Sequence, residues 1–315
     1  MKKEDYKKKL IHTKDELQFL QSLSLEDKID LSKARICEWY EYWHGKVSVS
    51  YSGGKDSTVL LRLVRDEFPD VPAVYIDSGL DFPEVREQVA KTENVIRLKP
   101  TMSFRQIISK YGFVFPSKNT ATHIEKAKRG VHYAVMYMNG KNYDGSPSEY
   151  NESTYGRWRH LLDAPFQISS KCCEYIKEKP LNQYEKETGN KPYVGILASE
   201  SKRRTDAWLR TGCNVFKSKR PISKPLSFWT EQDILRYIVK NKIEIASVYG
   251  NIIERKGKLE TTGMKRTGCM FCLIGCHLEK PNRFQLMKET HPEIYKYCMT
   301  QLGLEEVLTW LKIAH

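Results

Sequence analysis

Apolar positions follow one period at the start of the chain and another further on. Leu17, Leu20 and Leu23, then Ile29, Ala34 and Trp39, recur at helical spacing among charged neighbours and predict helices leading into a domain. From Val47 onward short apolar runs take over. Val47–Tyr51, Ala73–Asp77, Asn94–Leu98 and Tyr193–Leu197 read as strands, with helical stretches from Ser57 to Val64 and from Pro83. Strands alternating with helices predict a mostly parallel sheet covered on both faces, a three-layer α/β/α Rossmann-like sandwich. Thr230 caps a predicted helix with Asp233 three residues later, and Leu302 to Ile313 reads as a final helix. The polar stretch from Lys118, with Gly130, Asn139-Gly140 and Asp144-Gly145, reads as a helix followed by a flexible insertion able to lid a site. The expected division is a helical extension over 1–45, an α/β domain over 46–245 with its insertion near 118–160, and a cysteine-containing segment over 246–315 packed on that domain.

The first strand runs into Ser52-Gly53-Gly54-Lys55-Asp56-Ser57-Thr58, and a helix follows. Two glycines let a backbone approach an anion closely. The free N–H groups and dipole at a helix start favour negative charge. Ser52, Ser57 and Thr58 carry hydroxyls for phosphate oxygens, Lys55 neutralises a phosphate, and Asp56 orients the loop or holds Mg²⁺ through water. The spacing is not that of a Walker loop, which separates its glycines by four residues. After the fourth strand comes Glu200-Ser201-Lys202-Arg203-Arg204. Ligands of open parallel sheets sit beyond the carboxyl ends of strands, where Arg203 and Arg204 suit an oxyanion.

Five of eight cysteines fall in two short segments, Cys172-Cys173 and Cys269-Met270-Phe271-Cys272 with Cys276 just behind. Paired thiolates at such spacing suit an iron–sulfur cluster or zinc; buried, unligated thiols are the remaining reading. Cys276 can replace one of the four.

Lys and Arg number 52 against 39 Asp and Glu, for a formal charge of +13. This basic balance suits polyanionic partners, nucleic acid among them. Hydrophobic residues make up 40%, enough for a real core, which excludes a disordered chain. No run of about eighteen apolar residues exists, and the charged start lacks a signal-peptide stretch; a cytoplasmic protein without membrane association is the expectation.

The loop resembles the PP-loop of ATP pyrophosphatases, and several blocks together resemble the phosphoadenosine phosphosulfate reductase family, nearest its phage and bacterial members and its DNA phosphorothioation relatives. Those blocks are the loop itself, Ile168-Ser169-Ser170-Lys171-Cys172-Cys173, Ala198 to Arg204, Pro225 to Ile234, and Arg266-Thr267-Gly268-Cys269-Met270-Phe271-Cys272. The resemblance implies an adenine nucleotide bound by residues 52–58, with the backbone of Asp77-Ser78-Gly79 lining an adenine pocket and Glu200, Ser201, Arg203 and Arg204 on the phosphates. It implies Lys55, Asp56 and Arg204 as catalytic, with Mg²⁺ accompanying ATP. It implies a 4Fe-4S cluster on Cys172, Cys173, Cys269 and Cys272, with zinc as the alternative. One departure matters: the tail after Leu308 lacks the cysteine with which reductases attack sulfur. ATP cleavage to AMP and pyrophosphate, adenylating an acceptor in sulfur transfer, is therefore the first expectation. The basic balance allows nucleic acid as that acceptor, with a sulfur-donor protein as the other expected partner. Sulfite release from an adenylyl sulfate is the second expectation, and a non-catalytic nucleotide- or nucleic-acid-binding module the third.

Overall fold

The computed structural model describes residues 10–315. Of the helical extension expected over 1–45, residues 1–9 lie outside the described residues. The rest forms α1 (Lys14–Ser22) and α2 (Leu25–Tyr42). Each starts at a side-chain cap, Thr13 in a reciprocal capping box with Glu16, and Ser24 accepting the Asp27 N–H. Then follow β1 (Val47–Ser50), α3 (Lys55–Glu67), β2 (Ala73–Ile76), α4 (Pro83–Lys91) and β3 (Val95–Leu98). Helices α5 (Phe104–Tyr111), α6 (Lys118–Lys128), α7 (His132–Met138), α8 (Glu149–Thr154), α9 (Lys171–Cys173) and α10 (Lys179–Thr188) come next. After them lie β4 (Lys191–Val194), α11 (Lys202–Thr211), β5 (Asn214–Val215), β6 (Ile222–Ser223) and α12 (Glu231–Lys240). The chain closes with a hairpin, β7 (Ile252–Arg255) and β8 (Lys258–Thr261), then α13 (Arg283–Thr290), α14 (Pro292–Thr300) and α15 (Leu304–Trp310).

The chain gathers into two compact units: 1–77 with 81–98 and 181–268, and 78–80 with 99–180 and 269–315. The segment near 118–160 thus shares a unit with the residues from Cys269 onward, and the boundary in the last third falls after Gly268.

The first unit holds a mostly parallel six-stranded sheet in the order β3-β2-β1-β4-β6-β5, with helices flanking it. Only β5, at the edge, runs antiparallel. Val49 lies opposite Ala73 on one side and Tyr193 on the other, so β1 is central and its valines are fully buried. Successive connections lead from β1 outward through β2 to β3, while β4 lies on the opposite side of β1. The carboxyl ends of β1 and β4 therefore flank a topological switch point, where open α/β sheets bind ligands.

The fourth strand is shorter and earlier than the apolar run Tyr193–Leu197 suggested. Gly195 leaves the ladder, and the Ile196 N–H turns back to the Val194 carbonyl at 3.0 Å. Leu197 is buried from a loop, not from the sheet, so its apolar character reports burial alone.

The second unit is mainly helical. Its polar stretch near 118–160 is built of α6, α7, α8 and a 3-10 turn (Gly156–Asp163), in place of a flexible lid. The glycines and asparagines end these helices: Gly130 follows α6, Asn139-Gly140 follows α7, and Asp144 caps a tight turn by accepting the Ser146 N–H. No helix among the described residues is long and apolar enough to cross a membrane.

Candidate functional site

The loop after β1 is shaped by close contacts. Gly53 has φ +69°, and a Cβ there would meet Val85 and Val89 of α4 at 2.7 and 2.8 Å. A side chain at this position would be both strained and obstructed. Gly54 starts α3 without a side-chain cap, so the helix start is left for another acceptor. Gly195 brings the end of β4 against the loop: a Cβ would lie 3.2 Å from the Asp56 carbonyl oxygen.

The hydroxyls serve the loop itself. Ser57 Oγ and Thr58 Oγ1 donate to the Gly54 carbonyl at 2.8 and 3.1 Å, and Ser57 Oγ accepts the Ser52 N–H. Ser52 is the exposed residue of the loop. The two serine hydroxyls lie 3.0 Å apart, which pins the turn shut.

Lys55 is 4% exposed. Its Nζ donates to the Lys265 carbonyl at 3.1 Å and lies 3.3 Å from Glu231 Oε1 and 3.8 Å from Asp56 Oδ1. Its backbone N–H donates to Tyr249 Oη at 3.0 Å, and that hydroxyl sits 2.6 Å from Thr267 Oγ1. Asp56 Oδ1 is buried with no hydrogen-bond partner. Burial pushes the Asp56 carboxyl up; Lys55 opposes this, and Glu231 adds to it. Arg204 is pushed down by burial and then by the like charge of Arg266. It pairs with Glu200, whose other oxygen lies 3.8 Å from Arg266. A cavity of about 390 Å³ opens here, lined among others by Lys55, Asp56, Glu200, Glu231, Lys258 and Arg266. Cations and carboxylates share the site, and the surroundings of Asp56 and of nearby Arg204 disfavour their charged forms.

A folded-state carboxyl raised above its ordinary value weakens the fold as pH climbs from the unfolded value through the folded one, because ionisation then favours the unfolded chain. Asp56→Asn should therefore stabilise the protein at neutral pH, and the gain should vanish near pH 3, where the acid is protonated in both states. Urea melts at the two pH values check this; an equal effect at both would sink the assignment of strain to Asp56.

The five clustered cysteines, Cys172, Cys173, Cys269, Cys272 and Cys276, belong to the second unit. Cys172 is buried in α9, and its thiol is pushed far up by burial and by Cys173, Cys269 and Cys272. Cys272 is pushed up by burial with a contribution from Cys173. Its N–H donates to the Cys269 carbonyl, closing the turn between them. Cys276, fully buried, is pushed up to about 12 by burial, against the pull of Arg283. Four soft thiols that feel one another's charge are a donor set suited to a thiolate-held metal centre. Among the described residues, however, no three His, Cys, Asp or Glu side chains already converge on one ligating point.

The family model described as the phosphoadenosine phosphosulfate reductase domain matches residues 46–129 and 120–276. The chain belongs to this family. Among relatives of the family, an uncharacterized protein of Methanocaldococcus jannaschii is 22% identical over 93% of this chain and 54% of its own length. Sulfate adenylyltransferase subunit 2 of Buchnera aphidicola is 28% identical over 66% of this chain and 63% of its own. Adenosine 5′-phosphosulfate reductase of Staphylococcus haemolyticus is 22% identical over 64% of this chain and 94% of its own. The chain thus spans between half and two thirds of the first two of these relatives. The phosphoadenylyl-sulfate reductase of Candida auris, in a phosphate complex, is 14% identical with a TM-score of 0.38, covering 78% of this chain and 97% of that one. The FMN adenylyltransferase of Candida glabrata with ATP is 13% identical with a TM-score of 0.39, covering 75% and 64%.

Within this phosphoadenosine phosphosulfate reductase domain, the structure gathers Lys55, Asp56, Glu200 and Arg204 and leaves Arg203 exposed on α11. Ser201 caps α11 by accepting the Arg204 N–H. Asp77 ends β2 with its N–H on the Leu98 carbonyl, outside the lining of the cavity beside Lys55. Ser78 and Gly79 group with the second unit, where Ser78 Oγ accepts the Leu80 N–H. Glu231, Lys258, Tyr249 and Arg266 were not among the expected site residues, although Glu231 and Arg266 lie in the resembling blocks. Glu231 was legible as the residue after the Thr230 cap. Lys258 reaches the cavity because Gln232 exchanges two hydrogen bonds with Leu259, fastening the β7–β8 hairpin to α12.

Proposed function

We propose that the loop of residues 52–58 binds ATP as its Mg²⁺ complex and that ATP is cleaved between the α and β phosphates, adenylating an acceptor in sulfur transfer. The observation that carries this reading is the buried Asp56 oxygen without a partner, next to Lys55 and Glu231 in the cavity at the start of α3. A metal-complexed polyphosphate offers a cation to the carboxylates and anionic oxygens to Lys55, Arg204 and Arg266. An adenylyl sulfate brings anionic charge alone and leaves the carboxylates opposed. In the reaction the acceptor's nucleophile forms a bond to the α phosphorus, the bond from that phosphorus to the bridging oxygen breaks, and pyrophosphate departs. The Lys55 ammonium, Arg204 and the Asp56 and Ser57 N–H groups stabilise charge on the phosphates, while Asp56 and Glu231 would hold Mg²⁺ directly or through water. Ser52, Gly53, Gly54, Ser57 and Thr58 shape the cradle, Glu200 and Ser201 fix Arg204, and the backbone of Asp77 lines the adenine pocket.

Cys172, Cys173, Cys269 and Cys272 would hold a 4Fe-4S cluster, which supplies electrons or a sulfur-binding iron when bound. Cys272→Ser should then abolish the iron content and broad visible absorbance of protein purified without oxygen, and Cys276→Ser should leave both in place. Colourless wild-type protein carrying zinc sinks the cluster assignment. The basic chain favours nucleic acid as acceptor, and the relative named sulfate adenylyltransferase subunit 2 supports a protein partner as well.

The reductase reading draws on the relative named adenosine 5′-phosphosulfate reductase. Against it, Cys298 is fully buried, with its Sγ donating to the Tyr295 carbonyl. The deciding experiment supplies anaerobically purified protein with Mg²⁺ and ATP, or with adenylyl sulfates and a thiol reductant. Pyrophosphate supports the first reading, sulfite the second, and neither product supports a non-catalytic binding module.

A further inference from the structure

A second cavity, of about 700 Å³, lies wholly within the second unit and has no part in the chemistry above. Its size is that of a small-molecule or single-base site. Phe115, Trp158 and His277 form one aromatic wall: Trp158 and His277 centroids are 5.2 Å apart, Phe115 and His277 5.3 Å, Phe115 and Trp158 5.4 Å, all edge to face. Edge-to-face packing leaves ring faces that the three do not cover for one another. His277 Nδ1 is buried without a hydrogen-bond partner, a polar atom in an otherwise aromatic wall. Lys280 and Lys312 line the same cavity. The Arg157 guanidinium lies 5.1 Å from the Trp158 ring centroid, and Arg157 is exposed. The single acidic lining residue, Glu279, is committed to Arg283. Aromatic faces and a cationic rim together match a heteroaromatic base attached to phosphate.

We propose that this cavity receives one unstacked base of a single-stranded nucleic acid. Trp158 stacks on the base, and Arg157, Lys280 and Lys312 hold the adjoining phosphates. The inference deepens the reading of nucleic acid as acceptor, yet it stands on residues of the second unit and on binding alone.

The test is fluorescence anisotropy of the full chain with a fluorescein-labelled oligothymidylate of about twelve nucleotides, within the usual site sizes of such proteins. Trp158→Ala should weaken binding about 5- to 150-fold, the span of one lost base–aromatic stack. Trp158→Phe, which keeps a ring face, should restore most of it. Lys280→Gln with Lys312→Gln should flatten the salt dependence. Lys55→Ala should bind the oligonucleotide like wild type, so loss of ATP cleavage and loss of strand binding are separable. Unchanged affinity in Trp158→Ala overturns the proposal. So does equal weakening in Trp158→Phe, which marks a structural role, or weakening in Lys55→Ala, which moves binding to the loop. Thymidine monophosphate competing as strongly per molecule as the oligonucleotide makes the cavity a free-nucleotide site and overturns the strand assignment.

Discussion

Lys55→Ala lowers pyrophosphate release from Mg²⁺ and ATP by about 100- to 1,000-fold, the usual cost of removing one preorganised charge-stabilising donor. The side chain stands at the start of α3, buried, within reach of Asp56, Glu231 and the Lys265 carbonyl. Those acceptors keep the ammonium in place before any phosphate arrives, so little reorganisation is needed in the transition state. Its loss also leaves two carboxylates facing the polyphosphate with no cation of the chain between them. The effect should fall on kcat and kcat/KM together, because the charge it meets grows as pyrophosphate departs. Far-ultraviolet circular dichroism and a urea melt establish that the variant is folded. Turnover within about threefold of wild type would remove Lys55 from the mechanism and with it the reading of this loop.

The largest effect on stability is expected away from the site. Asp233→Ala should lower unfolding free energy by about 3–5 kcal/mol, read as a shift in the urea midpoint. Lys28 Nζ and Asp233 Oδ2 lie 2.8 Å apart, both almost fully buried, and Lys28 also donates to the Gln21 carbonyl. Removing the carboxylate strands a buried ammonium. The same oxygen accepts the Thr230 N–H at 2.7 Å and its hydroxyl at 2.8 Å, so the return half of the α12 capping box is lost as well. Lys28→Met with Asp233→Ala removes the stranded charge but does not restore that half of the capping box. It should recover most of the deficit and still fall short by roughly 1 kcal/mol. A single-variant cost below about 1 kcal/mol would show that water reaches Lys28 and that the pair is not buried in solution.

α12 carries consequences for the site too. Its first residue is Glu231, beside Lys55, and its second, Gln232, fastens the hairpin that delivers Lys258. The buried pair anchors α12 to α2. Damage to Asp233 should therefore loosen the carboxylate facing Lys55 as well as the core.

Local patterns in the sequence carried the alternation of strand and helix, the cap at Thr230, and the loop from Ser52 to Thr58. Each depends on residues within a few positions of one another, so period, cap chemistry and glycine placement suffice to read it. The pairs Cys172-Cys173 and Cys269–Cys272 stand out in the sequence for a similar reason: each lies within one short segment. Three things needed the tertiary structure. The run to Leu197 could not reveal that Gly195 leaves the sheet, because burial from a loop and burial from a strand leave the same apolar trace. Charge alone could not separate Arg204 from its neighbour Arg203; α11 turns one toward Asp56 and Arg266 and leaves the other in solvent. The carboxylates and cations opposite Lys55 come from α12, the hairpin and the segment before Cys269, far away in sequence. Only the packing of these elements brings Glu231, Lys258 and Arg266 to the start of α3, since ion pairing across the fold depends on distance in space and leaves no periodic mark along the chain.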